Sequence, residues 1–276
     1  MQSLKQNLVK YLTLPSLLFL ILFFVYPIIL ILTRSFIEPE VGIQNYINFF
    51  QESAYTKSLL NTIKIASLVT FFTFLVSYPI AYLAATTSSD TVRKTIFLCV
   101  ILPFLVSLLV KTFALLVLLQ NKGIINSLLI SSGIIDSPLP LSNNLIGVLI
   151  GVVYIMIPFM VFPMYTTMSS IDHRLLDAAS NLGANPFIAF IKVYFPLSIP
   201  GAAAGSVMVF SMTIGYYIIP AILGGTNQIM LGEFIANQIQ SYLNWGIAAT
   251  SGTILLVITM ALFIIYLKTD KGDINS

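Results

Sequence analysis

The chain has 276 residues, of which 58% are hydrophobic and only 8% charged, with a formal net charge of +3. Its mean hydropathy is +0.96. Soluble domains carry roughly 25% charged residues, so this composition excludes an ordinary soluble domain and predicts an all-α integral membrane protein. The single cysteine, Cys99, lies in an apolar run and excludes an internal disulfide or a cysteine metal framework. No basic cluster of the kind that binds nucleic acid is present.

In chain order, a polar start with Lys5 and Lys10 leads into Leu12–Leu32, an apolar run of spanning length. The run is longer than a secretory h-region and no small-x-small cleavage site follows it, so it is expected to be retained as a first span. A polar loop from Thr33 to Lys57 carries Tyr46, Phe49 and Phe50, aromatics suited to a water–lipid boundary. Spans are then expected over Leu59–Thr86, with a kink at Pro79, and over Thr95–Leu119, which carries Pro103 and Lys111. A turn-rich loop runs from Gln120 to Asn144, and a fourth span from Leu145 to Tyr165. The fifth, Ile199–Leu223, is rich in small residues (Gly201 to Gly205, Gly215) that let helices approach closely. A turn with a weakly amphipathic piece follows, then a last span over Gly246–Lys268 and a polar tail. Grouped coarsely, residues 1–57 are a first helix with its loop, 58–268 the core bundle and 269–276 the tail.

About six spans put both termini on one side. With both cytoplasmic, Lys5, Lys10, Arg93, Lys94, Arg174, Lys192, Lys268 and Lys271 all fall inside, in accord with the positive-inside rule.

The segment between the fourth and fifth apolar blocks is built differently from the other loops. Asp172 is placed to cap a helix and Gly183 to close it in a left-handed conformation. Leu175, Ala179 and Leu182 share a face, widened by Leu176. Asn185 and Pro186 then read as a second cap and first turn, followed by Phe187, Phe190, Ile191 and Tyr194, with Pro196 ending the run. The expectation is two short amphipathic helices joined at a glycine.

The same segment resembles the cytoplasmic loop of permease subunits of binding-protein-dependent ABC importers, written E-A-A, three residues, G, nine residues, I, one residue, L-P. Here Asp177-Ala178-Ala179 is followed at the same spacing by Gly183, Val193 and Phe195-Pro196. Asp replaces Glu, Val replaces Ile and Phe replaces Leu. Further segments are similar to the spermidine/putrescine branch: Asn45-Tyr46, Lys122 to Asn126, Gly133 to Asp136, Tyr154 to Met160, Leu223 to Gly225 and Asn244 to Ala249. That branch also takes up ferric iron, thiamine, phosphonates and opines. The resemblance implies a type I ABC importer permease fold in a bacterial inner membrane. It implies a coupling helix that docks on an ATPase through Asp177, Ala178, Ala179, Gly183 and Pro196, with Leu175, Leu182 and Phe187 as apolar contacts. It also implies a second permease, identical or homologous, and a periplasmic solute-binding protein.

This chain has no Gly-rich phosphate loop of the G-x-x-x-x-G-K-S type and no catalytic constellation. ATP is therefore expected on a partner chain, with no cofactor here. The spans contain no Asp or Glu, which argues against an ion-coupled secondary transporter. Four residues are candidates for the translocation path. Lys111 sits within a span, where a charge costs roughly 2.5–3.5 kcal/mol, and either lines the path or snorkels to the boundary. Tyr216 and Tyr217 can hold an ammonium by cation–π attraction or simply pack. Glu233 meets either a cationic substrate or solvent. The lone histidine, His173, reads as a surface residue of the coupling loop.

Overall fold

The computed structural model describes residues 14–172 and 174–274. Lys5, Lys10, His173 and the side chain of Lys271 lie outside the described residues. Within them all regular structure is helical: α1 (Leu14–Ile37), α2 (Gln44–Gln51), α3 (Ser53–Thr86), α4 (Asp90–Leu105), α5 (Leu108–Leu119), α6 (Ile124–Ser131), α7 (Leu145–Ser169), α8 (Arg174–Asn181), α9 (Pro186–Ile214), α10 (Ile218–Leu223), α11 (Leu231–Gln240) and α12 (Trp245–Ile274). Six helical stretches among them are long and apolar enough to cross a membrane: α1, α3, Leu108–Ser131, α7, α9 and Trp245–Lys268.

Two compact units are present, one formed by residues up to Thr56 with Phe234–Val257, the other by Lys57–Glu233 with residues from Ile258 onward. In the first, Asn45 is buried and its amide donates to the carbonyls of Ser35 and Glu38, tying α2 to the end of α1. Arg34 lies 5.0 Å over the Trp245 ring, so Trp245 has a cationic partner.

The second unit holds the main core. Met156, Met160, Met164 and Met168 recur every four residues on α7, and all are buried. Helix α9 lies against this stripe through Gly201 and Gly205. A Cβ on Gly201 would sit 2.6 Å from the Thr167 hydroxyl and 2.9 Å from the Pro163 carbonyl; one on Gly205 would sit 2.7 Å from the Met160 sulfur. The small-residue face expected from the sequence is thus the seam between α7 and α9.

Four expectations are corrected. The apolar run Thr95–Leu119 is not one span: its backbone turns extended at Val106 and Ser107, leaving α4 and α5 as separate helices. The run Ile199–Leu223 is likewise interrupted, at Gly215–Tyr217, and its helix begins far earlier, at Pro186. Pro196 therefore does not end a helix. A π-turn over Phe190–Tyr194, closed by the Phe195 amide donating to the Phe190 carbonyl, widens the ladder just ahead of the proline and relieves its clash with the preceding turn. The same device precedes Pro27, where a π-turn over Ile21–Val25 closes from the Tyr26 amide to the Ile21 carbonyl. Finally, α12 runs on to Ile274, so the expected polar tail continues the last helix.

Candidate functional site

The segment Asp172–Pro196, expected to couple to an ATPase, belongs to the second unit. The Asp172 carboxylate accepts from the Arg174 amide at 2.9 Å, as the cap expectation required. At the far end of α8, Gly183 has φ +87°, its amide donates to Ser180 at 3.0 Å, and the Ala184 amide donates to Ala179 at 3.0 Å. That pair of bonds is the Schellman closure, and it needs a residue at ease in the left-handed region. Asn185 then caps the next helix by accepting from the Ile188 amide at 2.8 Å, with Pro186 in its first turn.

The faces of the segment sort into two. Leu176 packs on the core, together with Ile171 and Phe190. Leu182 and Phe187 stand 90% and 70% exposed, with Leu175 and Asp177 also exposed and Ala179 half-buried. The expected single stripe of Leu175, Ala179 and Leu182 is thus split, because Leu176 takes the inward position. The outward apolar side chains leave a surface that no described residue covers. Pro196 is exposed in the first turns after the π-turn, within α9.

Tyr82, near the end of α3, stacks edge-on against Tyr194 (5.0 Å) and Phe190 (5.5 Å) at the start of α9. The turn after α3 therefore lies at the same end as the coupling segment. Arg93 locks that turn, donating to the carbonyls of Ala84 (3.2 Å) and Thr87 (2.7 Å) while pairing with Asp90 at 3.0 Å. At the opposite end, Asn61 donates to the Asn227 carbonyl and the Leu231 amide donates to the Thr62 hydroxyl. There too the Asn144 amide donates to the Leu223 carbonyl.

The candidate path residues are dispersed through this unit. Lys111 is 9% exposed, and its ammonium donates at 3.1 Å to the Pro103 carbonyl. Pro103 carries one of the last four carbonyls of α4, which have no amide partner within their own helix. The buried cation therefore sits at the negative end of a helix interrupted inside the apolar zone. Tyr216 and Tyr217 lie in the break after α9 rather than inside a span; Tyr216 packs on the core and Tyr217 is exposed. Glu233 stands in the first turn of α11, whose start packs onto that break: a Cβ on Gly232 would sit 3.0 Å from the Tyr216 carbonyl and 3.2 Å from that of Gly215. One oxygen of Glu233 is buried without a hydrogen-bond partner, and burial raises its pKa above the ordinary 4.5. Gly232, the residue before Glu233, packs on the carbonyls of Gly215 and Tyr216, whereas Lys111 is engaged separately.

A feature not singled out from the sequence is a groove of about 500 Å3 between α3 and α9. Ser67, Thr70, Phe71, Phe74 and Tyr78 line it from α3. The facing wall on α9 includes Phe195, Ser198, Ser206 and Phe210. Hydroxyls recurring through the otherwise apolar α3 were the available signal.

Three comparisons agree with this architecture. The chain is 32% identical over 260 residues to the spermidine/putrescine transport system permease protein PotB of Haemophilus influenzae, covering 91% of this chain and 90% of that protein. It is 29% identical over 237 residues to PotB of Escherichia coli, covering 86% of each. In fold it matches a chain of a bacterial ABC transporter that imports the acidic polysaccharide alginate, with a TM-score of 0.78 at 17% identity over 98% of this chain and 97% of that one. It also matches a chain of the MetNI methionine ABC transporter, with a TM-score of 0.58 at 15% identity over 79% of this chain and 94% of that one. The family model described as the inner membrane component of binding-protein-dependent transport systems matches residues 77–270, and with most of its length so covered the chain belongs to that family of multi-pass ABC importer permeases.

Proposed function

We propose that this chain is one of two permease subunits of an importer for polyamines such as spermidine or putrescine, moving them from periplasm to cytoplasm. Both termini and the coupling segment face the cytoplasm. There the segment docks on a separate ATPase chain, which binds and hydrolyses the ATP, through Leu175 on α8, Leu182 just past its end and Phe187 in the first turn of α9. Asp177, Ala178 and Ala179 supply the helix body, Gly183 its closure, and Pro196 lies within the following helix just past its π-turn. A periplasmic solute-binding protein delivers the substrate to the opposite end. The observation that carries the coupling role is the Schellman-closed α8 with its apolar side chains turned outward: a rigid, short helix built to be gripped rather than to pack on its own bundle.

The substrate class is supported by the spermidine/putrescine permeases to which the chain is similar. Glu233 adds a local reason. A carboxylate held in a desolvated place without a hydrogen-bond partner for one oxygen gains by receiving a cation. A substrate ammonium arriving beside the carbonyls of Gly215 and Tyr216 supplies one, with Tyr217 exposed nearby in sequence. The test is uptake of labelled spermidine by the permease pair, ATPase and binding protein reconstituted together in vesicles. Uptake should require ATP inside and the binding protein outside. Uptake driven by an ion gradient without nucleotide refutes the importer mechanism; ATP-driven uptake of ferric iron, thiamine, a phosphonate or an opine instead refutes the polyamine assignment alone.

A further inference from the structure

The groove between α3 and α9 has a lining whose chemistry is one-sided. The Ser67 hydroxyl donates to the Ile63 carbonyl at 2.8 Å, and the Thr70 hydroxyl to the Ala66 carbonyl at 2.7 Å. The Ser198 hydroxyl donates to the Phe195 carbonyl at 2.8 Å. The hydroxyls of Ser198 and Tyr78 lie 2.9 Å apart and satisfy each other, Ser198 being fully buried behind the lining. Ser67 and Thr70 have each spent their one proton on their own helix and keep only lone pairs to offer a ligand. Ser206, whose hydroxyl makes no hydrogen bond among the described residues, can turn either way. Around them stand the rings of Phe71, Phe74 and Phe195, and no charged side chain lines the groove. Phe74 and Phe195 lie 5.6 Å from the Tyr78 ring, on either side of the hydroxyl pair.

Lone pairs and aromatic faces are both electronegative. An anion finds at most the single Ser206 hydroxyl to donate to it and no positive charge, and a plain lipid chain leaves the lone pairs unused. An alkylammonium meets acceptors for its N–H groups, ring faces for its charge and apolar wall for its methylenes. The volume of about 500 Å3 lies in the range of roughly 300–1,000 Å3 typical of small-molecule sites. We propose that this groove is a carboxylate-free binding site for an alkylammonium group, a transient station in the membrane that holds the cation without the grip of an ion pair. The inference rests on the polyamine reading of the preceding section and adds the place and the chemistry of a second contact beyond Glu233.

The probe is a photoreactive diazirine alkylammonium applied to the assembled importer, with label mapped by peptide sequencing. The uncharged amide of the same shape serves as control. Label is expected on the α3 stretch from Ser67 to Tyr78, competed by spermidine and absent with the neutral amide. In Phe74→Leu, which keeps an apolar side chain but removes the ring, labelling should fall roughly tenfold, and Phe74→Tyr should restore it. The unfolding midpoint in detergent and the amount of ATPase that co-purifies should match wild type in both, so a misfolded variant is recognised by their loss. Equal labelling by the neutral amide, label elsewhere, or full labelling of Phe74→Leu overturns the proposal. Label in the groove without any spermidine uptake fells the polyamine reading alone; uptake without label fells this inference alone.

Discussion

Replacing Gly183 separates backbone strain from contact loss more cleanly than any other change in the coupling segment. At φ +87° an L-residue is strained, yet nothing lies within 4 Å of a Cβ built there, so crowding does not contribute. Forcing an ordinary residue into the left-handed region costs roughly 1–2 kcal/mol, less for asparagine and more for a β-branched side chain. If the turn opens instead, the two closing bonds from Gly183 and Ala184 are lost, at roughly 1–3 kcal/mol together from about 0.5–1.5 each. Either route depopulates the closed end of α8, by roughly tenfold for each ~1.4 kcal/mol. Coupled uptake by the reconstituted importer should therefore fall in the order Gly183→Asn, Gly183→Ala, Gly183→Val, with the valine variant down about tenfold and partly rescued by excess ATPase. The measurement is ATP-driven uptake beside the amount of ATPase that co-purifies. Equal activity of the asparagine and valine variants, whether both intact or both lost, would refute the argument from φ.

Three other outcomes are expected. Gly201→Val places its Cβ about where the Thr167 hydroxyl and Pro163 carbonyl now sit, so α7 and α9 must part; overpacking of roughly 1–3 kcal/mol should lower the unfolding midpoint in detergent, and an unchanged midpoint contradicts the seam. Lys111→Met loses a charged hydrogen bond to the Pro103 carbonyl, worth roughly 1.5–3 kcal/mol, but also removes the roughly 2.5–3.5 kcal/mol cost of a charge in a span, so thermal stability should change little; reduced uptake at that unchanged stability assigns the ammonium to the path. Glu233→Gln should stabilise the bundle near neutral pH. Burial raises the folded carboxyl's pKa, so its cost is absent below the ordinary 4.5 and grows as pH rises through the folded value. The advantage of glutamine should accordingly vanish in acid, and a pH-independent difference would exclude desolvation as its cause.

The spans were legible because partition into lipid depends on summed apolar surface, which a run such as Leu145–Tyr165 displays directly. The caps were legible for a related reason: Asp172, Gly183 and Asn185 act on backbone groups within three residues of themselves, and each makes the bond its position foretold. The Gly201–Gly205 seam could be read from side-chain size alone. Interruption is another matter. Pro103 and Ser107 lie at the interruption in Thr95–Leu119, but either also occurs inside a continuous span, and hydropathy does not record which carbonyl lacks an amide. Lys111 was visible as an anomaly, but its partner, Pro103, lies eight residues back across the break and belongs to the tertiary arrangement. The groove hydroxyls stayed hidden for the opposite reason: Ser67 and Thr70 bond their own helix, and only the facing wall from α9 turns their free lone pairs into a lining.

On the proposed polyamine reading, the interruptions also give a bundle with so few charges a means to handle a cation. A continuous helix satisfies its own carbonyls and offers a substrate nothing from the backbone. The breaks after α4 and α9 release carbonyls inside an apolar setting, and the two are treated differently. At α4 the buried Lys111 ammonium occupies the Pro103 carbonyl. At α9 the carbonyls of Gly215 and Tyr216 are approached by the start of α11, whose Glu233 brings negative rather than positive charge. One broken end is neutralised by the protein; the other is made more negative and left to be neutralised from outside. Exchanging the two charges tests that division of labour: Glu233→Lys should abolish polyamine uptake while leaving receptor-stimulated ATP hydrolysis measurable, because the added ammonium supplies the cation that the substrate otherwise brings. Retained uptake in that variant would show that the break after α9 is only a joint.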